Sequence, residues 1–187
     1  MDFSKKNYGD KLNLVYVGAV RQYENIRLII DTFGNSPLFE VYYHGAGDVG
    51  YKDVISYVKE KDYGNVHFTG KYENSERLNL LKDADILNNF YAASKDMKYA
   101  NTNKFLDGIM CRIPLFGNLE THDGIMARDE GIGLSYSGIP DPQRLYDDYF
   151  MIDESQFNAS CALALNKNLL AEENIKAKIK EFLSGEV

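Results

Sequence analysis

The segment Gly45-Ala46-Gly47-Asp48-Val49-Gly50 satisfies the G-x-G-x-x-G pattern of dinucleotide-binding proteins. In that pattern the glycines let the backbone approach a diphosphate, which the amides at the start of the following helix bind. An acidic residue is expected about 20 residues further on, but Gly70 and Lys71 stand there and Glu73 comes late. The pattern alone leaves open a nicotinamide or flavin site and a tight strand-to-helix turn that binds no ligand.

A second candidate for phosphate chemistry is the segment 101–107, where Asn101 or Thr102 can cap a helix. The amides at the start of such a helix can bind a diphosphate. Lys104 on the first turn adds a cation, and Asp107 lies three residues further on, close to the same face of the helix. A carboxylate that faces a ribose can accept hydrogen bonds from both of its hydroxyl groups. Spacing alone equally allows a capped surface helix with an incidental Lys104–Asp107 pair.

The elements that must position these residues follow a repeated pattern. Apolar runs of strand length cover 12–17, 39–43, 65–69, 85–88, 113–116 and 131–134. Segments with apolar residues at helical spacing separate most of them. Strands that alternate with helices are typical of βαβ units, which form parallel sheets covered by helices. The sequence therefore predicts an α/β, three-layer Rossmann-like domain with a six-stranded parallel sheet and helices on both faces.

No strand is predicted after Gly138. The segments 143–149, 155–168 and 172–183 have the spacing of closing C-terminal helices, with apolar stripes through Phe157, Cys161 and Leu165 and through Ile175, Ile179 and Phe182. Neither a repeat nor an internal linker interrupts the chain. We therefore predict one domain over residues 1–187.

Composition limits the classes of function. The formal net charge of −7 argues against a general affinity for nucleic acid or anionic lipid. No apolar run approaches the roughly 18 residues of a membrane span. Cys111 and Cys161 lack the paired spacing of a zinc site, and the three histidines are scattered, so we predict no metal site and interpret the cysteines as reduced core thiols of a cytosolic protein.

Ligands of open parallel sheets bind beyond the carboxyl ends of the strands. The residues that follow the predicted strands are 18–21, 45–50, 70–72, 88–91 and 117–124. In the third of these segments Lys71 stands beside Tyr72, and the pair can flank a nucleotide base.

The order of these segments resembles the C-terminal half of the group 1 glycosyltransferases, which have the GT-B fold. The matching segments, from about Leu12 to Leu134, are Tyr16-Val17-Gly18 with Arg21, His44-Gly45-Ala46-Gly47, Val66-His67-Phe68-Thr69-Gly70, 80–86, and Asn103-Lys104-Phe105-Leu106-Asp107 running on to Ile113-Pro114-Leu115. Each segment is common by itself, and the resemblance depends on their order and spacing. It implies that the dinucleotide pattern is coincidental.

The resemblance also implies roles for individual residues. In that family a sugar nucleotide lies between two Rossmann-like halves, and no other cofactor is needed. Arg21 and Lys104 would be the catalytic residues, because they would neutralise the departing diphosphate. Asp107 stands where the family has a ribose-binding glutamate. The implied nucleotide- and donor-binding residues are Gly18, Gly45, Gly47, Lys71, Tyr72, Asn88, Asn101, Thr102 and Asp107.

Two departures from the family pattern concern charge. The family often has a lysine shortly after the arginine, where this chain has Glu24 and Asn25, and the first of the two motif acids is replaced by Tyr99. We hypothesise that Lys104 restores the missing positive charge.

The expected activity is transfer of a sugar from a nucleotide-diphosphate sugar to a saccharide or lipid-linked acceptor in cell-surface polysaccharide synthesis. We expect a hexosyltransferase-like, retaining enzyme, working in the cytoplasm or at the inner face of the membrane. The acceptor-binding N-terminal half would be supplied in the parent protein or by a separate polypeptide, and this chain alone would transfer little. The alternatives are an NAD-type domain of an oxidoreductase and a non-catalytic interaction domain.

Overall fold

The fold is built on a sheet of six strands in the order β3-β2-β1-β4-β5-β6. The computed structural model describes residues 2–184, so the predicted domain limits at 1 and 187 lie outside the described residues. The strands are β1 (Leu12–Val17), β2 (Phe39–His44), β3 (Val66–Gly70), β4 (Ile86–Asn89), β5 (Leu115–Asn118) and β6 (Gly133–Tyr136). Every pair of neighbouring strands is parallel, which confirms the predicted sheet.

Seven helices surround the sheet in the described part of the chain. They are α1 (Tyr23–Phe33), α2 (Tyr51–Glu60), α3 (Arg77–Leu81), α4 (Asn103–Cys111), α5 (His122–Asp129), α6 (Pro142–Phe150) and α7 (Glu154–Ser184), with a 3-10 turn at Asn74–Glu76 before α3. Helix α1 packs on α2 and β2, and α4 packs on α7 and β4. The sheet thus lies between two helical layers, as the alternating pattern predicts.

The core explains the near-continuous apolar sequence of β1. This strand pairs with β2 over its full length and with β4 on its other side, and all of its residues except Asn13 are buried. A central strand of a parallel sheet has both faces covered by helices, so it contains little polar sequence. Helix α1 covers one face with the buried side chains of Ile26, Ile29, Ile30 and Phe33.

Helix α7 differs from the prediction. The segments 155–168 and 172–183 were expected to form two helices, but they belong to one continuous helix of 31 residues. The connecting residues 169–171 contain neither glycine nor proline, and just beyond them Lys176 pairs with Glu172 at 2.5 Å. Because nothing there breaks the backbone hydrogen bonds, the helix continues.

Helix α5 was not predicted, and the sequence gives a physical reason. Its buried residues are Asp123, Gly124 and Ala127, which do not form an apolar stripe. Thr121 caps the helix by accepting a hydrogen bond from the amide of Gly124. Strands β5 and β6 also begin two residues later than the predicted 113–116 and 131–134.

The order of the strands creates a crevice between β1 and β4. The chain leaves β1 toward β2 on one side and leaves β4 toward β5 on the other, so the following loops separate at this point. Such a switch point is where open α/β sheets bind ligands. Within the described residues, no helix has both the length and the apolar character needed to cross a membrane.

Candidate functional site

A cavity of about 360 Å³ lies at the crevice between β1 and β4. Residues 16–19, Arg21 and Gln22 form one wall, and residues 102–104 at the start of α4 form the opposite wall. Arg77, Tyr91 and Met97 complete the lining. Three of these side chains carry a positive charge and none carries a negative charge, so the cavity is suited to an anion.

Lys104 is the buried cation of this cavity, with only 4% of its surface exposed. Its Nζ atom hydrogen-bonds the hydroxyl of Tyr91 and lies 4.1 Å from the ring centroid of Tyr16 and 4.6 Å from that of Tyr91. Among the described residues, no carboxylate oxygen lies within 4 Å of it. Burial lowers the pKa of Lys104, because the charged form has lost its water. A negatively charged ligand would supply the counter-charge that the protein does not.

The start of α4 is held firmly. Thr102 caps the helix by accepting from the amide of Phe105 at 3.2 Å. The amide and hydroxyl of Thr102 donate in turn to Asp123 Oδ2 at 3.0 and 2.6 Å. The amides of Asn103 and Lys104, on the first turn, have no hydrogen-bond partner among the described residues. Two free amides and the buried ammonium therefore lie together at the cavity.

Arg21 and Gly18 line the cavity from the end of β1. Arg21 is exposed and makes no ion pair with any described residue, so its guanidinium is available to a ligand. Gly18 has a φ of 143°, which other residues rarely adopt. A Cβ atom there would lie 3.9 Å from Nζ of Lys104, and the absent side chain keeps the approach to the ammonium open.

Arg77 is a cavity residue that the sequence did not indicate. Its Nε donates to both oxygens of Asp107 at 3.2 and 3.1 Å, Nη2 also binds Asp107 Oδ2, and Nη1 donates to the hydroxyl of Tyr72 at 2.8 Å. The Arg77–Asp107 pair joins positions 30 residues apart, and no local motif reveals it. Asp107 pairs with Arg77 rather than with Lys104, so the incidental Lys104–Asp107 pair considered from spacing is absent from the described contacts.

The structure gathers four of the predicted site residues around the cavity: Gly18, Arg21, Thr102 and Lys104. Tyr72 and Asp107 are not among the lining residues, but both bind Arg77, which lines the cavity. Asn88 is buried beneath it, next to the ring of Tyr43, Lys71 is exposed beside Glu73, and Asn101 is exposed. The sequence placed Tyr91 in a segment that follows a strand, but it did not indicate the contacts of Tyr16 and Tyr91 with Lys104. It also did not indicate that Met97 lines the cavity.

Gly45 and Gly47 are used for packing rather than for the cavity. A Cβ atom on Gly45 would lie 1.8 Å from the carbonyl oxygen of Gly18, and one on Gly47 would lie 2.7 Å from the hydroxyl of Tyr23. That hydroxyl donates to Asp48 Oδ1 at 2.5 Å and accepts from the Asp48 amide at 3.0 Å. Tyr23 thus packs against the glycine loop and occupies one of its amides.

A larger groove, of about 470 Å³, lies beside β1 and β2 and is closed by α3 and the residues that follow it. Several of its polar groups bond to one another: Lys6 pairs with Asp85 at 2.6 Å, and Asn13 Nδ2 donates to the carbonyl oxygen of Asp83 at 2.7 Å. Because the groove contains no buried cation without a carboxylate partner among its lining residues, we regard the smaller cavity as the candidate site.

A doubly wound parallel sheet with a cation-lined cavity at its switch point is the architecture of nucleotide-binding α/β domains. No protein-family model and no curated protein matches the sequence. Solved structures do match.

The chain is similar to AviGT4, a glycosyltransferase involved in avilamycin A biosynthesis, with a TM-score of 0.68 and 15% identity over 94% of this chain and 52% of AviGT4. It is similar to Anabaena HepE in complex with UDP-glucose, with a TM-score of 0.64 and 15% identity over 94% of this chain and 49% of HepE. It is also similar to the C-terminal domain of LpcC, a group 1 glycosyltransferase of Francisella tularensis, with a TM-score of 0.54, 16% identity and 80% coverage of both chains.

The fold is therefore that of the GT-B glycosyltransferases of group 1, and the match to LpcC is to a C-terminal domain. This confirms the fold implied by the sequence resemblance. The chain spans about half the length of AviGT4 and HepE.

Proposed function

We propose that this chain is the donor-binding half of a glycosyltransferase and that its cavity binds the diphosphate of a nucleotide-diphosphate sugar. The observation that carries the proposal is Lys104, a buried ammonium in the cavity wall that has no carboxylate partner within 4 Å in the described part of the chain. A buried charge without a counter-ion is strongly unfavourable. Its retention at the free amides of α4 is explained by a ligand that brings negative charge.

The chemical role follows from charge. When a glycosidic bond to the diphosphate breaks, negative charge develops on the leaving oxygen. Lys104, Arg21 and the amides at the start of α4 would stabilise that charge, in a site that is partly shielded from water. Thr102 would act indirectly, because its hydroxyl is already used to cap α4 and to bind Asp123.

The activity of the whole protein is part of the proposal. HepE was crystallised with UDP-glucose, and the solved relatives AviGT4 and HepE are about twice as long as the matched region. We therefore propose a second half, in cis or in trans, that binds a saccharide or lipid-linked acceptor in cell-surface polysaccharide synthesis. The enzyme would be a retaining hexosyltransferase of the cytoplasm or the inner membrane face, and this chain alone would transfer little.

The oxidoreductase alternative has less support. It requires a diphosphate at the Gly45–Gly50 loop, but Tyr23 packs against Gly47 and Gly50 and binds the amide of Asp48. A non-catalytic interaction domain would bind neither nucleotides nor NAD, and the experiment below distinguishes it.

The test is thermal unfolding of the chain with UDP, GDP, ADP, CMP and NAD, each over a range of concentrations. A ligand at 100 times its Kd stabilises the folded state by about 2.7 kcal/mol, which shifts the melting temperature measurably. We expect stabilisation by at least one nucleoside diphosphate. Stabilisation by NAD alone would contradict the proposal in favour of a cofactor domain, and no response to any of the five would favour an interaction domain.

A further inference from the structure

Arg77 lies in the wall of the cavity, between the loop that carries Tyr72 and the buried Lys104. Three of its N–H donors hold it in place, two of them on Asp107 and one on Tyr72. Asp107 is itself 5% exposed, and its two oxygens both accept from the guanidinium of Arg77. The orientation of Arg77 is thus fixed before any ligand arrives.

The hydrogen-bond capacity of Arg77 is not exhausted by these contacts. A guanidinium has five N–H donors. Nε and one N–H of Nη2 bind Asp107, and one N–H of Nη1 binds Tyr72. Five donors less these three leave two, one on each terminal nitrogen. Two free N–H groups of a guanidinium can bind two oxygens of a phosphate.

The charges around the cavity also favour an anion near Arg77. Arg77 and Lys104 are close enough for the arginine to disfavour the charged form of the lysine, whereas Asp107 favours it. Asp107 is the only carboxylate that pairs with Arg77 among the described residues, and it offsets one of the three positive charges that line the cavity. The positive charge that remains is close in magnitude to the negative charge of a diphosphate.

We propose that Arg77 is a further phosphate-binding residue of the site, beside Lys104 and Arg21, and that Asp107 is its positioning residue rather than an acceptor for ribose hydroxyls. This inference rests on the proposed function, because it assumes that the cavity binds a diphosphate. It differs from the role that the sequence resemblance implies for Asp107. Asp107 is almost fully buried, is not among the residues that line the cavity, and already has both oxygens on the guanidinium, so it is poorly placed to accept hydrogen bonds from two ribose hydroxyls.

The test compares ligands with and without ribose hydroxyls. Binding of inorganic pyrophosphate, and of UDP, GDP and ADP with their 2′,3′-dideoxy forms, is measured by calorimetry for the wild type, Arg77→Ala and Asp107→Asn. Because a charge-assisted hydrogen bond contributes roughly 1.5–3 kcal/mol, we expect Arg77→Ala to weaken each bound ligand roughly ten- to a hundredfold. Asp107→Asn should weaken the binding of the nucleoside diphosphates, of their dideoxy forms and of pyrophosphate, and the factor should be the same for all three kinds of ligand.

Two further variants separate binding from folding. Arg77→Lys keeps a cation that Asp107 can hold but loses the two-pronged donor, so it should fold and still bind at least several-fold more weakly. Arg27→Ala is the control, because it removes an arginine of α1 that lies over the ring of Tyr57. This variant should bind all ligands like the wild type. In the double variant Arg77→Ala/Asp107→Asn, the asparagine should add no further loss.

Three outcomes would overturn the inference. Undiminished binding by both Arg77→Ala and Arg77→Lys would show that Arg77 does not contact the ligand. Selective weakening of the ribose forms by Asp107→Asn would return Asp107 to the role of a hydroxyl acceptor. A wild type that binds none of these ligands would overturn the inference together with the proposed function, whereas the first two results would leave the proposed function standing.

Discussion

The ammonium group of Lys104 lies 4.1 Å from the centre of the Tyr16 ring, and these two residues come from α4 and β1 on opposite sides of the crevice. A cation–π contact of this kind contributes about 2 kcal/mol when it is shielded from water. Removing an ammonium from water costs several kcal/mol, even after the protein relaxes. The Tyr16 and Tyr91 rings therefore offset only part of the cost, and Lys104 is a residue at which stability and ligand binding conflict.

This conflict predicts the effect of Lys104→Met. Methionine has a similar length and needs no counter-charge, so the variant should be about 1–3 kcal/mol more stable than the wild type in urea unfolding. The same variant should bind nucleoside diphosphates at least roughly tenfold more weakly, because a charged hydrogen-bond donor is lost. Lys52→Met, on the exposed side of α2, is the matched control and should change neither quantity appreciably. A destabilised Lys104→Met protein would mean that the ammonium is well compensated in the free protein.

The lowered pKa of Lys104 predicts opposite pH trends for stability and binding. In the unfolded chain the lysine has its ordinary pKa of 10.5, so between the lower folded-state pKa and 10.5 the unfolded chain binds more protons. The free energy of unfolding should therefore rise with pH across this window, while diphosphate affinity should fall as the ammonium loses its proton. Burial raises the pKa of the neighbouring Tyr16 hydroxyl, which stays neutral there.

The measurement is urea unfolding and nucleotide binding between pH 7 and pH 10, each taken as wild type minus Lys104→Met. The subtraction removes the contributions of tyrosines and cysteines that titrate elsewhere in the chain. A difference that does not change with pH would show that the folded-state pKa of Lys104 is close to its ordinary value.

The sequence could predict the sheet because its evidence is local. Apolar runs of strand length, separated by helical spacing, determine a parallel sheet almost by themselves, and this part of the prediction is confirmed. Helix α5 was not predicted, because it buries Asp123 and Gly124 instead of an apolar stripe. The predicted break in α7 was wrong because the apolar stripe is interrupted there, whereas the residues still favour a helix.

The site was harder to predict, because its contacts join distant positions. Segment 101–107 could be chosen from a cap and a cation, and the structure places Thr102 and Lys104 in the cavity wall. The partner of Asp107 is Arg77, which lies on the short helix α3 and belongs to no motif. Only the contact of Arg77 with Asp107 in the folded chain reveals that the carboxylate is already engaged. The roles of the individual site residues stay predictions.

The two capping threonines predict separate effects on stability and binding. Thr102 caps α4 at the cavity and Thr121 caps α5 away from its lining. Alanine at either position should cost about 1–2 kcal/mol in urea unfolding, because a cap and a buried hydrogen bond are lost. Thr102→Ala should also weaken nucleotide binding several-fold, since the amides of Asn103 and Lys104 lose their fixed orientation. Equal binding by the two variants would contradict a role for the start of α4.

The distal part of α7 predicts tolerance to truncation. Phe157, Cys161 and Ala164 anchor the helix on the domain, but every described side chain from 169 to 183 is exposed, including Phe182 at 77%. A chain that stops after Asn168 should lose helical signal in circular dichroism while its free energy of unfolding changes by less than about 1 kcal/mol. A larger loss would mean that the distal helix packs on the domain in solution.

The close approach of Gly45 to Gly18 predicts a severe effect for Gly45→Ala. Gly45 has a φ of 145°, and its new Cβ atom would lie 1.8 Å from the carbonyl oxygen of Gly18, which is backbone and cannot rotate away. We expect a loss of about 3 kcal/mol or more in urea unfolding, because strain at such a backbone angle adds to the clash.

Gly64→Ala is the matched control, since a Cβ atom there meets nothing within 4 Å and its φ is not in the left-handed region. It should be neutral, or stabilise the chain by up to about 1 kcal/mol by restricting the unfolded state. Gly45 would then be required for the contact between the ends of β1 and β2, whatever the cavity binds. A Gly45→Ala protein as stable as Gly64→Ala would show that the two loops separate easily, and the glycine loop would again be open to a diphosphate.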